Sequence, residues 1–238
     1  MNTLFSAAIA AENRDGYVAI IPDIKCSSPK DGDLLFRRDP VEVSKQLIQY
    51  GAPVLSVVTE QKYFCGSPKL LRDVAKSTGV PILRKDFITR ADMLSETVEL
   101  GATAVLLICA ITNEKNLSML YEKALDLGLE PLVEVHSHAE MKLASKLRAR
   151  LIGINNRDIK VLECDDGKPS LTATLAAGIS TGTMLISESS ISSADEAKLA
   201  VSAGAHAILV GTALWRARDM EAAYRSLRVE RNNTCCRQ

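Results

Sequence analysis

Lysine and carboxylate side chains stand at the ends of short apolar runs in this sequence. Asp23 and Lys25 close the run "VAIIPDIK" two residues apart, so on one strand both side chains point to the same side. Burying such charges costs free energy unless they are paired or used. Lysines and carboxylates packed together shift one another's pKa values, and acid–base catalysis uses such shifts. Other apolar runs also end in polar residues, at Glu60, Lys85 with Asp86, Glu134, Asn155 and Glu188.

The elements that must position these residues alternate along the chain. Residues 40–51 are typical of a helix, with apolar side chains at helical spacing and Gly51 as a stop, and Ser193 with the acids after it begins another helix. Eight aliphatic runs separated by such segments predict eight parallel strands buried on both faces. The runs span residues 18–25, 53–59, 81–87, 104–110, 131–136, 151–155, 184–189 and 207–211.

Eight strand–helix units in a chain of 238 residues predict the α/β class and a single (β/α)8 TIM barrel. A doubly wound open sheet is the alternative. We expect one barrel domain over residues 1–238, with a short N-terminal segment at 1–17 and a loose polar tail at 229–238. Active sites of such barrels lie at the C-terminal ends of the strands, so the predicted fold gathers the polar residues on one rim.

Composition narrows the classes of function. Lys plus Arg (29) equals Asp plus Glu (29) without a basic block, which argues against a nucleic-acid surface. The longest apolar run, residues 104–111, is too short to span a membrane, and the N-terminus carries no secretory pattern. The six cysteines show neither a CxxC motif nor a Cys/His ligand spacing, so we predict no metal site and a reduced, cytoplasmic location.

Two further features have weaker interpretations. The segments "SESSISS" (187–193) and "LVGTALWRA" (209–217) carry small residues after the last two strands, where barrels often bind phosphate on backbone N–H groups. His136 follows Glu134 on the same strand face; it either lines the mouth or, in the favoured interpretation, begins the next loop. Cys26 and Cys109 are more typical of buried filler than of nucleophiles.

Seven ordered motifs between about residues 19 and 216 resemble the indole-3-glycerol phosphate synthase family: "DIKCSSP", "LSVVTEQKYFCGS", "PILRKDF", "EPLVEVH", "IGINNRD", "ISESSI" and "LVGTAL". The resemblance implies a lyase of tryptophan biosynthesis. Its phosphorylated substrate would be 1-(2-carboxyphenylamino)-1-deoxyribulose 5-phosphate, taken through ring closure, decarboxylation and dehydration without metal or organic cofactor. Other enzymes of that pathway are candidate protein partners.

The resemblance also implies roles for individual residues. Lys85 corresponds to the general acid that protonates the ketone oxygen, and Glu134 to the general base of the dehydration. Lys25 corresponds to the lysine that contacts the substrate carboxylate and takes part in proton transfer. The other residues placed in the site are the catalytic candidates Asp23, Asn155 and Glu188, then Arg157 and Ser28 near the carboxylate, Phe87 on the aryl ring, and Ser189, Ser190, Gly211 and Thr212 at the phosphate.

The sequence departs from the family pattern near the substrate. Asp23 stands where the family has Glu, which draws the carboxylate back by one methylene. Ser190 replaces a Gly, so its side chain obstructs phosphate or its backbone adopts a φ that serine disfavours. Pro22 replaces the usual Ala. Only 17 residues precede Val18, where the family usually has a further helical segment over the site, so we expect a more open mouth.

Two other functions are therefore kept open. One is a paralogue that acts on a related or substituted aryl-amino sugar phosphate in a specialised pathway. The other, from a different class, is a phosphate-ligand-binding barrel without turnover. A phosphoribosylanthranilate isomerase is also a barrel of this size, but it is not expected to carry "PILRKDF" and "LVEVH".

Overall fold

A computed structural model describes residues 4–157 and 170–231 of the chain. In these ranges eight parallel strands form a closed barrel in which each strand pairs with its neighbours along the chain and the first pairs with the last, so the predicted (β/α)8 fold is confirmed. Each predicted strand is present, with ends that differ from the prediction by at most two residues. The strands are β1 Ala19–Ile24, β2 Leu55–Val58, β3 Ile82–Lys85, β4 Ala104–Ile108, β5 Glu130–Val135, β6 Leu151–Asn155, β7 Met184–Glu188 and β8 Ala207–Val210.

Helices connect the strands on the outside of the barrel. A short hairpin, Ser27–Ser28 with Gly32–Asp33, follows β1, and a 3-10 turn, Cys109–Ile111, follows β4. The helices of the described ranges are α1 Phe5–Arg14, α2 Pro40–Gln49, α3 Pro68–Thr78, α4 Ala91–Glu99, α5 Glu114–Asp126, α6 His138–Lys146, α7 Ser170–Ala176, α8 Ala194–Ser202, α9 Thr212–Arg216 and α10 Met220–Leu227.

Local sequence signals explain where several helices begin and end. The predicted cap Ser193 accepts a hydrogen bond from the backbone N–H of Glu196, and Ser137 caps α6 through Glu140 in the same way. Gly79 ends α3 in the left-handed conformation, with φ of +70°. These caps satisfy backbone groups that the first and last helical turns leave unpaired.

Two apolar clusters hold the barrel together. The larger one lies between the strands and the surrounding helices, and the smaller one fills the barrel interior with residues such as Leu106, Leu132 and Ile186. Phe5 and Ile9 of α1 belong to the interior cluster and are fully buried. Ser6 of the same helix donates to Glu130, the first residue of β5. Helix α1 therefore closes the barrel at the N-terminal ends of the strands, opposite the polar rim.

The predicted polar tail is wrong at its beginning. Val229 is 8% exposed, and its carbonyl accepts a hydrogen bond from the Val18 N–H. Arg231 donates to the Gly16 carbonyl and, through its side chain, to that of Ala205. The segment pairs here because the chain before β1 presents unpaired backbone groups beside it. Residues 232–238, the rest of the predicted tail, lie outside the described residues. Within the described part of the chain, no helix is long and apolar enough to cross a membrane.

Candidate active site

Strand pleating brings the predicted catalytic residues into the barrel mouth. Alternate residues of a strand face the interior, so most strands contribute apolar residues below and a polar residue at or just after their C-terminal end. These polar side chains are buried: Asp23 is 3% exposed, Lys25 6%, and Glu134, Asn155 and Glu188 are 0% exposed. The predicted convergence on one rim is present in the structure.

Lys85 lies between two buried carboxylates. Its Nζ is 3.6 Å from an Oε2 atom of Glu134 and 3.6 Å from an Oε2 atom of Glu188. Burial acts to raise the pKa of Glu134, but the attraction of Lys85 and contacts with His136 and Asn155 outweigh burial and lower that pKa below its usual range. The arrangement combines a cation that can give a proton with a carboxylate kept ionised.

Asp23 and Lys25 are held in place at the C-terminal end of β1. Ser56 donates a 2.7 Å hydrogen bond to Asp23 Oδ1, and the Trp215 indole N–H donates to the Asp23 backbone oxygen. Gly211 packs closely on both residues: a Cβ there would lie 3.0 Å from Lys25 Cε and 3.2 Å from Asp23 Cβ. Residue 211 therefore leaves just enough space for the two charged side chains.

A polar cavity of about 310 Å³ opens above these residues. Small residues from the ends of β7 and β8, Ser189, Ser190, Gly211 and Thr212, lie on one side of it. Cations on its walls give it an affinity for anions. The cationic side chains that line it are Lys25, Lys30, Lys85, Arg157 and Arg216.

Ser189 and Ser190 both adopt the left-handed backbone conformation, with φ of +64° and +56°. The expected strain at Ser190 is thus present, and Ser189 shares it. Serine adopts this region at a cost of about 1 to 2 kcal/mol relative to glycine. The Ser190 hydroxyl accepts a 3.3 Å hydrogen bond from Arg157 Nε, so the added side chain holds a residue of the same cavity.

A smaller, mostly apolar cavity lies beside the polar one. Phe87, the residue predicted to pack on the aryl ring, lines it together with Phe64 and Ile108. Asp23, Lys25 and Lys85 line both cavities. A ligand with an aromatic end and a phosphate end would place its middle atoms against these three side chains.

Other predicted residues have local partners. Glu60 accepts hydrogen bonds from the backbone N–H groups of Lys62, Tyr63 and Phe64, so it shapes the loop after β2. The buried Ser28 hydroxyl hydrogen-bonds with Asp31 and lines neither cavity. Asn155 accepts a hydrogen bond from the Arg157 N–H and thereby orients the chain that carries Arg157.

Sequence reasoning missed an ion pair on the outer face of β3. Arg84 is 2% exposed, and its guanidinium contacts Asp86 at 3.2 Å and Glu96 of α4 at 2.9 Å. It also donates to Thr59 and Thr97. Lys85 points inward between Arg84 and Asp86, whose charged groups pair on the outer face. The alternation "RKD" is the signal that could have indicated this ion pair.

His136 is the first residue after β5 and lines neither cavity, so it begins the next loop as the favoured interpretation predicts, with its side chain beside Glu134. Its Nε2 lies 3.2 Å from Glu134 Oε1, and its Nδ1 lies 3.2 Å from Glu140 Oε2. Burial acts to lower the pKa of His136, but the two carboxylates outweigh burial and raise it to about 10. Within the described ranges, no group of three or more His, Cys, Asp and Glu side chains is arranged to hold a metal ion.

Known proteins resemble this chain over most of its length. A solved structure of orotidine 5'-phosphate decarboxylase from Pyrococcus horikoshii matches with a TM-score of 0.66 and 15% identity, covering 87% of this chain and 96% of that one, which supports the barrel fold alone. Indole-3-glycerol phosphate synthase from Pyrococcus furiosus is 46% identical over 200 residues, 84% of this chain and 87% of that protein. The enzyme of the same name from Carboxydothermus hydrogenoformans is 41% identical over 213 residues, 89% of this chain and 80% of that protein.

The family model described as indole-3-glycerol phosphate synthase matches residues 2–227. This match covers nearly the whole chain and includes all eight strands and the polar rim. With relatives above 40% identity over most of their length, it agrees with the resemblance of the seven motifs. The chain belongs to the indole-3-glycerol phosphate synthase family.

Proposed function

We propose that this protein converts 1-(2-carboxyphenylamino)-1-deoxyribulose 5-phosphate into indole-3-glycerol phosphate by ring closure, decarboxylation and dehydration. The observation that carries the proposal is the position of Lys85. It lies 3.6 Å from two buried carboxylates and lines both the apolar and the polar cavity. A proton donor is therefore placed where the middle of an aryl-amino sugar phosphate would lie.

Binding would spread the substrate over the two cavities. The aryl ring would pack against Phe87 in the apolar cavity. The phosphate would bind among Ser189, Ser190, Gly211 and Thr212, and the nearby cations would contribute attraction. The intervening ketone would then face the three residues shared by the cavities, Asp23, Lys25 and Lys85. Positioning of this kind removes much of the entropic cost of ring closure.

Ring closure needs an acid at the ketone oxygen. As the ring carbon that bears the carboxylate attacks the ketone carbon, negative charge develops on that oxygen, and the Lys85 ammonium can supply a proton. Lys25 would bind the carboxylate until it leaves as carbon dioxide; Arg157 lines the polar cavity and Ser28 lines neither cavity, so their predicted contact with the carboxylate would need the loops to move. Asp23, fixed by Ser56, would hold Lys25 in place.

Dehydration needs a base as the aromatic system forms. Glu134 is fully buried and has a lowered pKa, so it is ionised at neutral pH and can take the proton lost next to the hydroxyl. The hydroxyl would leave as water with a proton from Lys25, the lysine that the resemblance assigns to proton transfer. Asn155 would bind a substrate hydroxyl. Glu188 would share with Glu134 the charge balance around Lys85 as the lysine gives up and regains its proton.

The fluorescence of indole-3-glycerol phosphate provides the test. Purified protein with the standard substrate should form product at about 1 s⁻¹ or faster. Glu134→Gln keeps the shape of the base and should lower kcat by about 10²- to 10⁴-fold. An absence of product with bound substrate would contradict the proposal and favour the binding barrel.

A specific feature keeps the substituted-substrate paralogue as a second candidate. Asp23 is shorter than the family's Glu and is already bound by Ser56, so the site near Lys25 differs from the family pattern. Parallel assays with adducts of ring-substituted anthranilates decide between the two. Higher kcat/KM for a substituted adduct than for the standard substrate would favour the paralogue.

We also propose a cytoplasmic location, in keeping with a chain whose cysteines show no disulfide framework. Contact with other enzymes of tryptophan biosynthesis stays a prediction that rests on the resemblance alone.

A further inference from the structure

His136 joins Glu134 of the site to Glu140 of helix α6. Its Nε2 is 3.2 Å from Glu134 Oε1 and its Nδ1 is 3.2 Å from Glu140 Oε2. The His136 backbone N–H also donates to Glu140 Oε2 at 2.8 Å. Glu140 belongs to the first turn of α6, whose N-cap is Ser137, so the second carboxylate is held by a folded helix.

The surroundings make His136 the second cationic neighbour of Glu134. On its other side, Glu134 Oε2 lies 3.6 Å from Lys85 Nζ, and Asn155 of β6 also acts to lower the pKa of Glu134. Glu188, 3.6 Å from Lys85, and Cys109, on the 3-10 turn that packs against α6 and β5, are further titratable groups nearby. Burial raises the pKa of the Cys109 thiol to about 12, so it stays neutral.

We propose that His136 and Glu140 are positioning residues for the catalytic base: a protonated His136, held by Glu140, fixes the Glu134 carboxylate and keeps it ionised. The proposal rests on the proposed role of Glu134. It assigns Oε1 to the imidazolium and leaves Oε2 toward Lys85 and the substrate.

The reaction itself gives a reason for a second cation. Lys85 donates its proton during ring closure, and from that moment it no longer stabilises an ionised Glu134. A fully buried carboxylate without a cationic neighbour would take up a proton and lose its function as a base. His136 lies outside both substrate cavities, and no step of the proposed reaction takes its proton. It therefore preserves the charge of Glu134 through the step in which Lys85 is neutral.

Three variants separate the contributions of charge and contact. His136→Gln keeps a donor but removes the charge, His136→Ala removes both, and Glu140→Gln keeps an acceptor for the ring but removes the second carboxylate. We expect His136→Gln to lower kcat at neutral pH roughly tenfold and His136→Ala roughly a hundredfold. In both variants, the pKa of Glu134 should rise. The acidic limb of the pH profile of kcat should therefore move to higher pH. His138→Gln, an exposed neighbour on α6, is the matched control and should leave rate and profile unchanged.

A nuclear magnetic resonance titration tests the contact of His136 with Glu134 and Glu140, here called the bridge, without turnover. The chain has three histidines, and comparison with His136→Gln assigns the resonance. We expect the His136 ring to stay protonated above pH 8 in the wild type and to titrate at lower pH in Glu140→Gln. A wild type without synthase activity would refute the proposed function, while the titration would still decide on the bridge. Titration of His136 near its ordinary pKa, or an unmoved acidic limb in an active His136→Gln enzyme, would overturn the positioning role.

Discussion

A glycine on β6 makes room for a carboxylate on β7. A Cβ at Gly153 would lie 2.0 Å from Glu188 Oε1 and 3.1 Å from Glu188 Cδ, closer than two such atoms can approach. Glu188 is fully buried and lies 3.6 Å from Lys85. The glycine of "IGINN" is therefore required by a side chain on the neighbouring strand, and it helps to set the position of that side chain beside the proposed acid.

We expect Gly153→Ala to damage both stability and activity. The added methyl group must displace Glu188, which has no solvent to move into, so the free energy of unfolding should fall by about 1 to 3 kcal/mol. Turnover should fall by about 10²-fold because Glu188 no longer balances the charge of Lys85. Chemical denaturation and steady-state kinetics measure the two effects. Normal kcat in the Gly153→Ala enzyme would show that the position of Glu188 does not matter.

Gly211→Ala tests how closely Asp23 and Lys25 are held. Gly211 has φ of −115° and ψ of −87°, outside the α and β regions that alanine favours, so the substitution adds backbone strain as well as bulk. Its Cβ would come within 3.0 Å of Lys25 Cε. We expect kcat/KM to fall roughly tenfold and the melting temperature to fall as well, because the backbone is strained and the contact is tight. Unchanged kcat/KM would mean that Lys25 can shift without consequence.

Removal of the Arg84 guanidinium should cost far more stability than removal of an exposed one. Arg84→Met leaves the buried side of Asp86 without its cation, and the free energy of unfolding should fall by about 3 kcal/mol. Arg90→Met is the matched control, since Arg90 makes a similar 2.9 Å pair with Asp92 but is 68% exposed. Its effect on the free energy of unfolding should be much smaller, because solvent screens the exposed pair. Equal losses in the two variants would contradict a stabilising role for the buried Arg84–Asp86 ion pair.

His206 should make the fold sensitive to mild acid. Burial, and secondarily Arg231, lower the pKa of His206 to about 4. Its Nδ1 accepts a hydrogen bond from the Leu185 N–H, which only an unprotonated nitrogen can do. As pH falls below about 6.5, the unfolded chain binds this proton and the folded chain does not, so stability is lost between pH 6.5 and 4. The loss should reach about 1 to 2 kcal/mol, after allowance for the partial exposure of the ring.

Denaturation of the wild type and of His206→Gln between pH 7 and 4 checks this expectation. Gln can accept the same hydrogen bond and does not titrate, so its stability should fall less over this range. Parallel curves for the two proteins would show that other groups cause the acid sensitivity.

The sequence predicted the barrel because its strands are unbroken aliphatic runs flanked by turn residues. Such runs are local signals, and their count and order determine the closed topology. The polar rim could be predicted from the same strands. All the strands are parallel, so the last inward-facing residue of each one lies at the same mouth of the barrel. Strand order and side-chain alternation alone thus place Lys85, Glu134 and Glu188 together.

Contacts across the chain could not be predicted in the same way. The closure of the barrel bottom by Phe5 and Ile9 depends on how α1 packs under the strands. The partner of His136 is set by the angle at which α6 leaves β5, and the sequence pattern does not encode that angle. The sequence around Val229 is polar, so the pattern predicts a tail that begins there. Its pairing with Val18 joins residues that are far apart along the chain, and no local pattern indicates such a contact.

The most direct test of the proposed function compares Lys85→Ala with the wild type in two measurements on the same preparations. One is turnover of the standard substrate by indole-3-glycerol phosphate fluorescence, and the other is binding of that substrate by calorimetry. Lys69→Ala, which removes an 81% exposed lysine, is the control. We expect Lys85→Ala to lose at least about 10²-fold in kcat while binding survives. Turnover close to that of the wild type in Lys85→Ala would contradict the assignment of Lys85 as the general acid.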